Sequence, residues 1–168
     1  LGLADGRTVE AVLMSDHDPA RAAGCLSSQA GCAMGCTFCE TAQMGLMRNL
    51  TAAEIVQQWF VARHRVKNPF DGGRGFPIKN IVFMGMGEPL MNYDATMAAV
   101  ALLVDGAGLG VHRLTVSTSG WLPGMARLID DQYAVRLAVS LHAPVDDLRT
   151  SLVPLNRRYP LRVLLDAC

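Results

Sequence analysis

Four of the five cysteines fall within fifteen residues, in the string Cys25-Leu-Ser-Ser-Gln-Ala-Gly-Cys32-Ala-Met-Gly-Cys36-Thr-Phe-Cys39. Three of them, Cys32, Cys36 and Cys39, form a C-x3-C-x2-C array. Three thiolates in a tight loop can hold three irons of a cubane cluster and leave the fourth iron open to a small molecule. Gly31 and Gly35 let the backbone wrap closely around such a group, and Phe38, between two cysteines, is expected to shield it from water. A structural zinc site needs a second ligand pair, and His17, His64, His112 and His142 are scattered singly. A disulfide framework fits poorly with an odd cysteine count in a chain that is not a small secreted scaffold. Zinc and plain buried cysteines are the alternatives to an iron–sulfur site.

The rest of the chain alternates strand and helix patterns. Residues 8–13 alternate weakly and read as a strand with Glu10 in its middle, where a solvent-facing glutamate is the ordinary reading. Residues 24–28 read as a strand that delivers Cys25. Thr51 and Glu54 make a capping box, opening a helix to about Arg65 with Ile55, Val56, Trp59, Phe60 and Ala62 on its inner side and the two aromatics in the core. Residues 68–77, rich in glycine and proline, read as a loop. Apolar strands are expected at 78–84, 114–117 and 134–141, and helices at 94–105, from about 123, at 146–152 and after Pro160. Such alternation predicts a parallel sheet with right-handed crossovers, hence an α/β fold. Each buried strand runs into small or polar residues: Gly85 to Glu88, Ser117 to Gly120, and Ser140 to His142. Ligands of α/β sheets sit at the carboxyl ends of strands, so three strand ends and the cysteine loop are expected to face one another. A glutamate behind two glycines, Glu88, is poorly explained by packing.

Composition sets limits. A chain of 168 residues that is 51% hydrophobic can build one domain with a real core. Its apolar runs fall far short of a membrane span, and its first residues do not read as a signal peptide. Reduced thiols then point to the cytoplasm. The net charge of zero lends no electrostatic support to nucleic-acid binding. Arg149, Arg157, Arg158 and Arg162 give a mild basic bias late in the chain and read as a solvated face. The chain begins at Leu1 and stops at Cys168 within a helix-like stretch, and is expected to be a piece of a longer protein.

The cysteine array resembles that of radical S-adenosylmethionine (SAM) enzymes. The longer string over residues 25–50 is similar to one branch, the RNA methyltransferases that modify C2 of an adenine in 23S rRNA. A sister group methylates C8 of the same adenine, and Thr41-Ala42-Gln43 after the third cysteine resembles the C2 branch more. The resemblance runs from about Leu3 to the end of the chain. It implies a (β/α)6 partial barrel of which this chain supplies about the first four strands, with an N-terminal strand extension over 1–24 and the core over 25–168. It implies a [4Fe–4S] cluster on Cys32, Cys36 and Cys39, with SAM on the open iron and against Gly87, Glu88, Ser117, Ser140, Leu141 and His142. A lone histidine with a packing role is the alternative for His142. Glu10 corresponds to a proton acceptor near the adenine, although the spacer over 15–21 is longer than the family pattern. Cys25 corresponds to a cysteine that resolves a protein–RNA adduct and ends in a disulfide with a methyl-carrying cysteine further along; a spare thiol is the alternative. Two SAM molecules are used in that scheme, one to methylate the carrier and one to generate a 5′-deoxyadenosyl radical. Cys168, on a helix-like stretch, is not expected to be the carrier. The implied partners are 23S rRNA, an adenine in the tRNA anticodon loop as a second substrate, and an electron donor such as a flavodoxin; the enzyme is expected to act as a monomer. A C8-methylating relative, or a fragment that binds cluster and SAM without catalysis, are the competing readings.

Overall fold

The computed structural model describes residues 1–15, 21–69 and 71–168. His17 and most of the long spacer after the first strand lie outside them. In chain order the elements are β1 (Val12–Ser15), β2 (Ala22–Cys25), β3 (Gln29–Gly31), α1 (Glu40–Gln43), β4 (Leu46–Asn49), α2 (Ala52–His64), β5 (Ile78–Phe83), α3 (Tyr93–Ala101), β6 (Leu114–Thr118), α4 (Leu122–Asp130), β7 (Arg136–Val139), α5 (Asp146–Leu152) and α6 (Leu161–Asp166). The main sheet has the order β1-β2-β5-β6-β7. β1 is antiparallel to β2, and the other three pairings are parallel. Four parallel strands beside an antiparallel N-terminal strand match the expected fragment of a (β/α)6 barrel.

Burial explains the sheet. Ile78, Ile81, Phe83, Leu114 and Val116 are each at most 1% exposed, and Ile55, Met97, Val100 and Leu103 cover them from the helices. Each such side chain contributes about 1.5–3 kcal/mol on leaving water. The capping box of α2 is formed: Thr51 Oγ1 accepts from the Glu54 amide at 3.2 Å, and Glu54 accepts from the Thr51 amide at 2.9 Å. Trp59 is in the core, but Phe60 is half exposed and lies against the His64 ring at 4.7 Å. The buried stripe of α2 is narrower than its apolar residues suggest.

Three further corrections bear on the site. The first strand starts later than expected, so Glu10 lies between an isolated bridge, Gly2 to Thr8, and β1, in irregular backbone. A second, two-stranded sheet, β3 with β4, escapes any reading of periodicity. Arg149 is not on a solvated face: it is 1% exposed, whereas Arg157, Arg158 and Arg162 are at the surface.

Candidate active site

The cysteine loop hangs from the β3–β4 hairpin. Gly31 closes it at φ +77°, and a Cβ there would meet Gly45 O at 1.8 Å, so the loop's neck admits no side chain. The Cys32 amide donates to Gly45 O (3.1 Å), the Cys39 amide donates to Cys36 O (3.2 Å), and Cys39 caps α1. Cys32 and Cys36 are buried and Cys39 is partly exposed. Burial pushes the Cys32 thiol up, and burial together with the neighbouring thiols of Cys32 and Cys39 pushes Cys36 up to about 11. A cationic metal group bound by these two thiols would offset that rise by favouring their thiolate forms.

All three thiols line one cavity of about 380 Å³ with Gly87, Glu88, Ser117, Ser140 and His142. Parallel strands share a direction, so the ends of β5, β6 and β7 arrive at the same face as the loop. Among the described residues no three His, Cys, Asp or Glu side chains converge to hold a single metal ion. Phe38 is 53% exposed at the cavity rim, 4.6 Å from the His142 ring, rather than sealed inside. A larger cavity, about 720 Å³, lies at the amino ends of the strands among Arg21, Lys79, Asn80 and Arg113 and contains none of these residues.

Glu88 is 3% exposed. Its carboxylate accepts from the Ser119 amide (2.8 Å), the Ser119 hydroxyl (2.9 Å) and the Leu90 amide (3.2 Å). Burial raises its pKa, and these donors oppose the rise. Among the described residues no Lys or Arg forms an ion pair with it. A buried carboxylate supplied with neutral donors and lacking a cation suits a cationic guest such as the ammonium of SAM. Beside it the Ser117 and Ser140 hydroxyls are 3.3 Å apart, joining β6 to β7. His142 takes φ +62°, a left-handed conformation that is costly for a side-chain residue and that clusters at binding sites. The donor set therefore fits both groups: three thiols for a cluster, one unneutralised carboxylate for SAM.

Three candidates do not line the cavity. Leu141 is 37% exposed and contributes its carbonyl to Arg149. Cys25, at the end of β2, is buried beside Met84, which does line the cavity; burial raises its thiol, opposed by the Met84 backbone. The Glu10 side chain is exposed, and its carbonyl accepts from Ser27 Oγ.

Sequence reading missed the polar run after Cys25. Ser27 and Gln29 are fully buried and Ser28 is 2% exposed. Ser27 Oγ accepts from the Met86 amide (2.8 Å), and Gln29 Oε1 accepts from the Glu88 amide (2.8 Å). The Gln58 side chain brackets Ser27 by accepting from its amide and donating to its carbonyl, each at 2.8 Å. Asn92 donates to Ser28 O and Leu50 O, both at 2.8 Å. This run is the underside of the Gly85–Glu88 turn. Gly87, at φ +98°, must be glycine because a Cβ would meet Gln29 Cβ at 2.5 Å. The available signal was three consecutive polar residues, Ser27 to Gln29, one residue after a buried strand.

A profile of the radical SAM superfamily matches residues 26–168. The chain is 52% identical over 169 residues to a probable dual-specificity RNA methyltransferase RlmN 1 of Opitutus terrae, covering 99% of this chain and 46% of that protein. It is 50% identical over 170 residues to the dual-specificity RNA methyltransferase RlmN 1 of Myxococcus xanthus, covering 100% of this chain and 45% of that one. The chain thus spans about half the length of the curated relatives it matches. A radical SAM methyltransferase from Sphaerobacter thermophilus superposes with a TM-score of 0.88 at 52% identity, over 99% of this chain and 48% of that structure. With three thiols and an unneutralised carboxylate facing one cavity, and with this profile across residues 26–168, the chain belongs to the radical SAM superfamily, whose cofactors are a [4Fe–4S] cluster and SAM.

Proposed function

We propose that this chain is the cluster- and SAM-binding part of an enzyme that methylates C2 of an adenine in 23S rRNA, with an adenine of tRNA as a second substrate. The observation that carries the reading is the cavity itself: Cys32, Cys36 and Cys39 on one wall and, on another, the buried Glu88, with no Lys or Arg ion-paired to it among the described residues. The relatives' description as dual-specificity RNA methyltransferases supplies the substrate class.

Cys32, Cys36 and Cys39 hold the cluster, which when bound supplies the electron that cleaves SAM to a 5′-deoxyadenosyl radical. Glu88 and Gly87 receive the ammonium of SAM, and Ser117, Ser140, Leu141 and His142 position the rest. Glu10 takes a proton at the adenine. Its exposed side chain next to a carbonyl anchored by Ser27 suits a group that meets a large substrate. Cys25 is the resolving thiol and ends in a disulfide with the methyl-carrying cysteine. Cys168 is not assigned that carrier role: its thiol donates to Leu164 O at 3.3 Å at the end of α6. The reading keeps residues 1–24 as an N-terminal extension and 25–168 as the core, and places a monomer in the cytoplasm with a flavodoxin-like donor. No helix among the described residues is long and apolar enough to cross a membrane.

The test is anaerobic reconstitution of this chain and of a full-length relative carrying it, each with SAM, reductant and 23S rRNA or tRNA, followed by nucleoside analysis. SAM cleavage by the chain, and 2-methyladenosine made by the full-length protein, are expected. Methylation at C8 assigns the protein to the sister reaction and overturns the C2 reading. Methylated RNA made by this chain alone overturns the placement of the carrier outside it.

A further inference from the structure

Arg149 is among the largest side chains completely removed from solvent. Its guanidinium donates to Leu141 O through Nε (3.0 Å), to Ser119 O through Nη2 (2.7 Å) and to Asn156 Oδ1 through Nη1 (2.7 Å). Every one of these acceptors is neutral. The nearby acid, Asp146, is engaged by the Asn156 amide nitrogen (2.8 Å) and the Leu161 backbone amide (2.8 Å). The amide of Asn156 thus stands between the guanidinium and that carboxylate. A buried charge is ordinarily paired with its opposite, because leaving water is costly and only a close counter-charge offsets it. Here no carboxylate among the described residues touches the guanidinium, and Asp146 offsets its charge only across the Asn156 amide.

Three contacts show where its field falls. Ser119 is held from both sides: its carbonyl takes Arg149, while its amide and hydroxyl hold Glu88. Leu141, which takes the Nε proton, immediately precedes His142 in its left-handed conformation. The end of α5, which carries Arg149, is bonded to the residue after Cys36: the Thr37 amide donates to Leu152 O (2.9 Å) and its hydroxyl donates to Ser151 O (3.2 Å). Arg149 therefore stands where the cysteine loop, the β6 end and the β7 end meet, with Asp146 the foremost charge acting on it and Cys36 the next.

We propose that Arg149 is a positioning residue and fixed counter-charge for the cavity, set to stabilise the added negative charge when a cluster on Cys32, Cys36 and Cys39 accepts an electron, and to hold the β6 and β7 ends at the spacing SAM requires. The inference rests on the cofactor reading above. Three thiolates and Glu88 would place negative charge around the cluster, and reduction adds one more beside the buried Cys32 and Cys36. A desolvated cation beside it favours the reduced form. Neutral acceptors satisfy the guanidinium protons without cancelling its field, which a carboxylate in the position of Asn156 would do.

The experiment compares Arg149→Lys, Arg149→Gln and Arg149→Met with the unsubstituted sequence in a full-length relative carrying this chain, after reconstitution. Iron and sulfide content, the cluster's midpoint potential from the reduced-state EPR signal, and SAM affinity are measured. Arg149→Gln and Arg149→Met are expected to keep full iron and sulfide while the reduction equilibrium falls at least tenfold, a 59 mV shift for one electron. Arg149→Lys is expected to recover most of the potential but not the SAM affinity, since a lysine cannot bridge three acceptors as a planar fork does. If neither neutral variant folds, Arg149→Lys decides: a potential held while SAM affinity falls supports the proposal, and unchanged SAM affinity overturns it. Unchanged potentials in a loaded Arg149→Gln or Arg149→Met protein overturn the proposal and leave Arg149 a packing residue. An unsubstituted protein that takes up no iron or sulfide defeats the cofactor reading, and this inference with it.

Discussion

Two arginines of this molecule each bind several groups and do opposite things. Arg48, on β4 with its side chain 29% exposed, donates to both carboxylate oxygens of Glu54 (2.7 and 2.8 Å) and through Nε to Asp5 (2.6 Å). Its charge is consumed by two carboxylates, and the network fastens the N-terminal segment to β4 and the cap of α2. Arg149 is fully buried and meets two carbonyls and an amide. In the first region the ionic groups close on one another, so they hold structure. Around the cavity, Arg149 and Glu88 each touch only neutral groups among the described residues, so much of their field is available to a guest. Ion pairing that is complete marks scaffolding, and ion pairing left incomplete inside a protein marks a site.

That contrast can be broken in a graded way. The largest effect is expected from Cys36→Ala, which leaves two ligands for three irons: iron and sulfide after reconstitution should fall to background, while Arg48→Ala loads normally. Cluster retained at full content in Cys36→Ala would remove the C-x3-C-x2-C array from the ligand set. Next, Glu88→Gln keeps the size of the side chain and its acceptor for Ser119 but removes the charge. SAM binding by calorimetry should weaken by roughly 10- to 100-fold, as expected for a charged hydrogen bond worth about 1.5–3 kcal/mol. The cluster should stay intact, and unchanged SAM affinity would show that the buried carboxylate serves packing.

The smallest effect belongs to Arg48→Ala, since the Arg48–Glu54 pair at the surface is worth up to about 1 kcal/mol. Its signature is in acid. The Arg48 guanidinium holds Glu54 down to about 2, below its ordinary value of 4.5. The stabilisation is therefore complete above pH 4.5 and is lost as pH falls from there towards 2. Arg48→Ala should flatten the fall in melting temperature across that interval and leave SAM affinity alone. A loss of SAM affinity matching that of Glu88→Gln would erase the distinction between the two regions.

Local chemistry made several elements readable. The helix over 146–152 and the capping box at Thr51 and Glu54 occur where spacing placed them, because a helix turn and its cap involve residues three or four apart. The strand expected at 78–84 and found at Ile78–Phe83 announced itself by the apolar run at its end, Ile81 to Met84. The β3–β4 hairpin did not. Gln29–Gly31 is three residues long, and its partner lies beyond the whole cysteine loop. Phe60 looked like core because its helix is apolar there, yet α2 has only one face against the sheet.

The cysteine array, the order of the parallel strands with their helices, and the polar strand ends could all be written down from residue types and their spacing, since each depends on neighbours along the chain. The burial of Arg149 could not. Within its own helix it follows Asp146, Asp147 and Leu148, all exposed, and nothing local distinguishes it from Arg157 or Arg158. Its acceptors come from residues 119, 141 and 156, which meet only when β6, β7 and the turn after α5 pack together. The same holds for Ser27 and Gln29, whose partners lie fifty-nine residues away in the Gly85–Glu88 turn. Which polar group is satisfied, and which charge is left over, is a property of surfaces brought into contact, because desolvation acts on a group only once the rest of the fold has displaced its water.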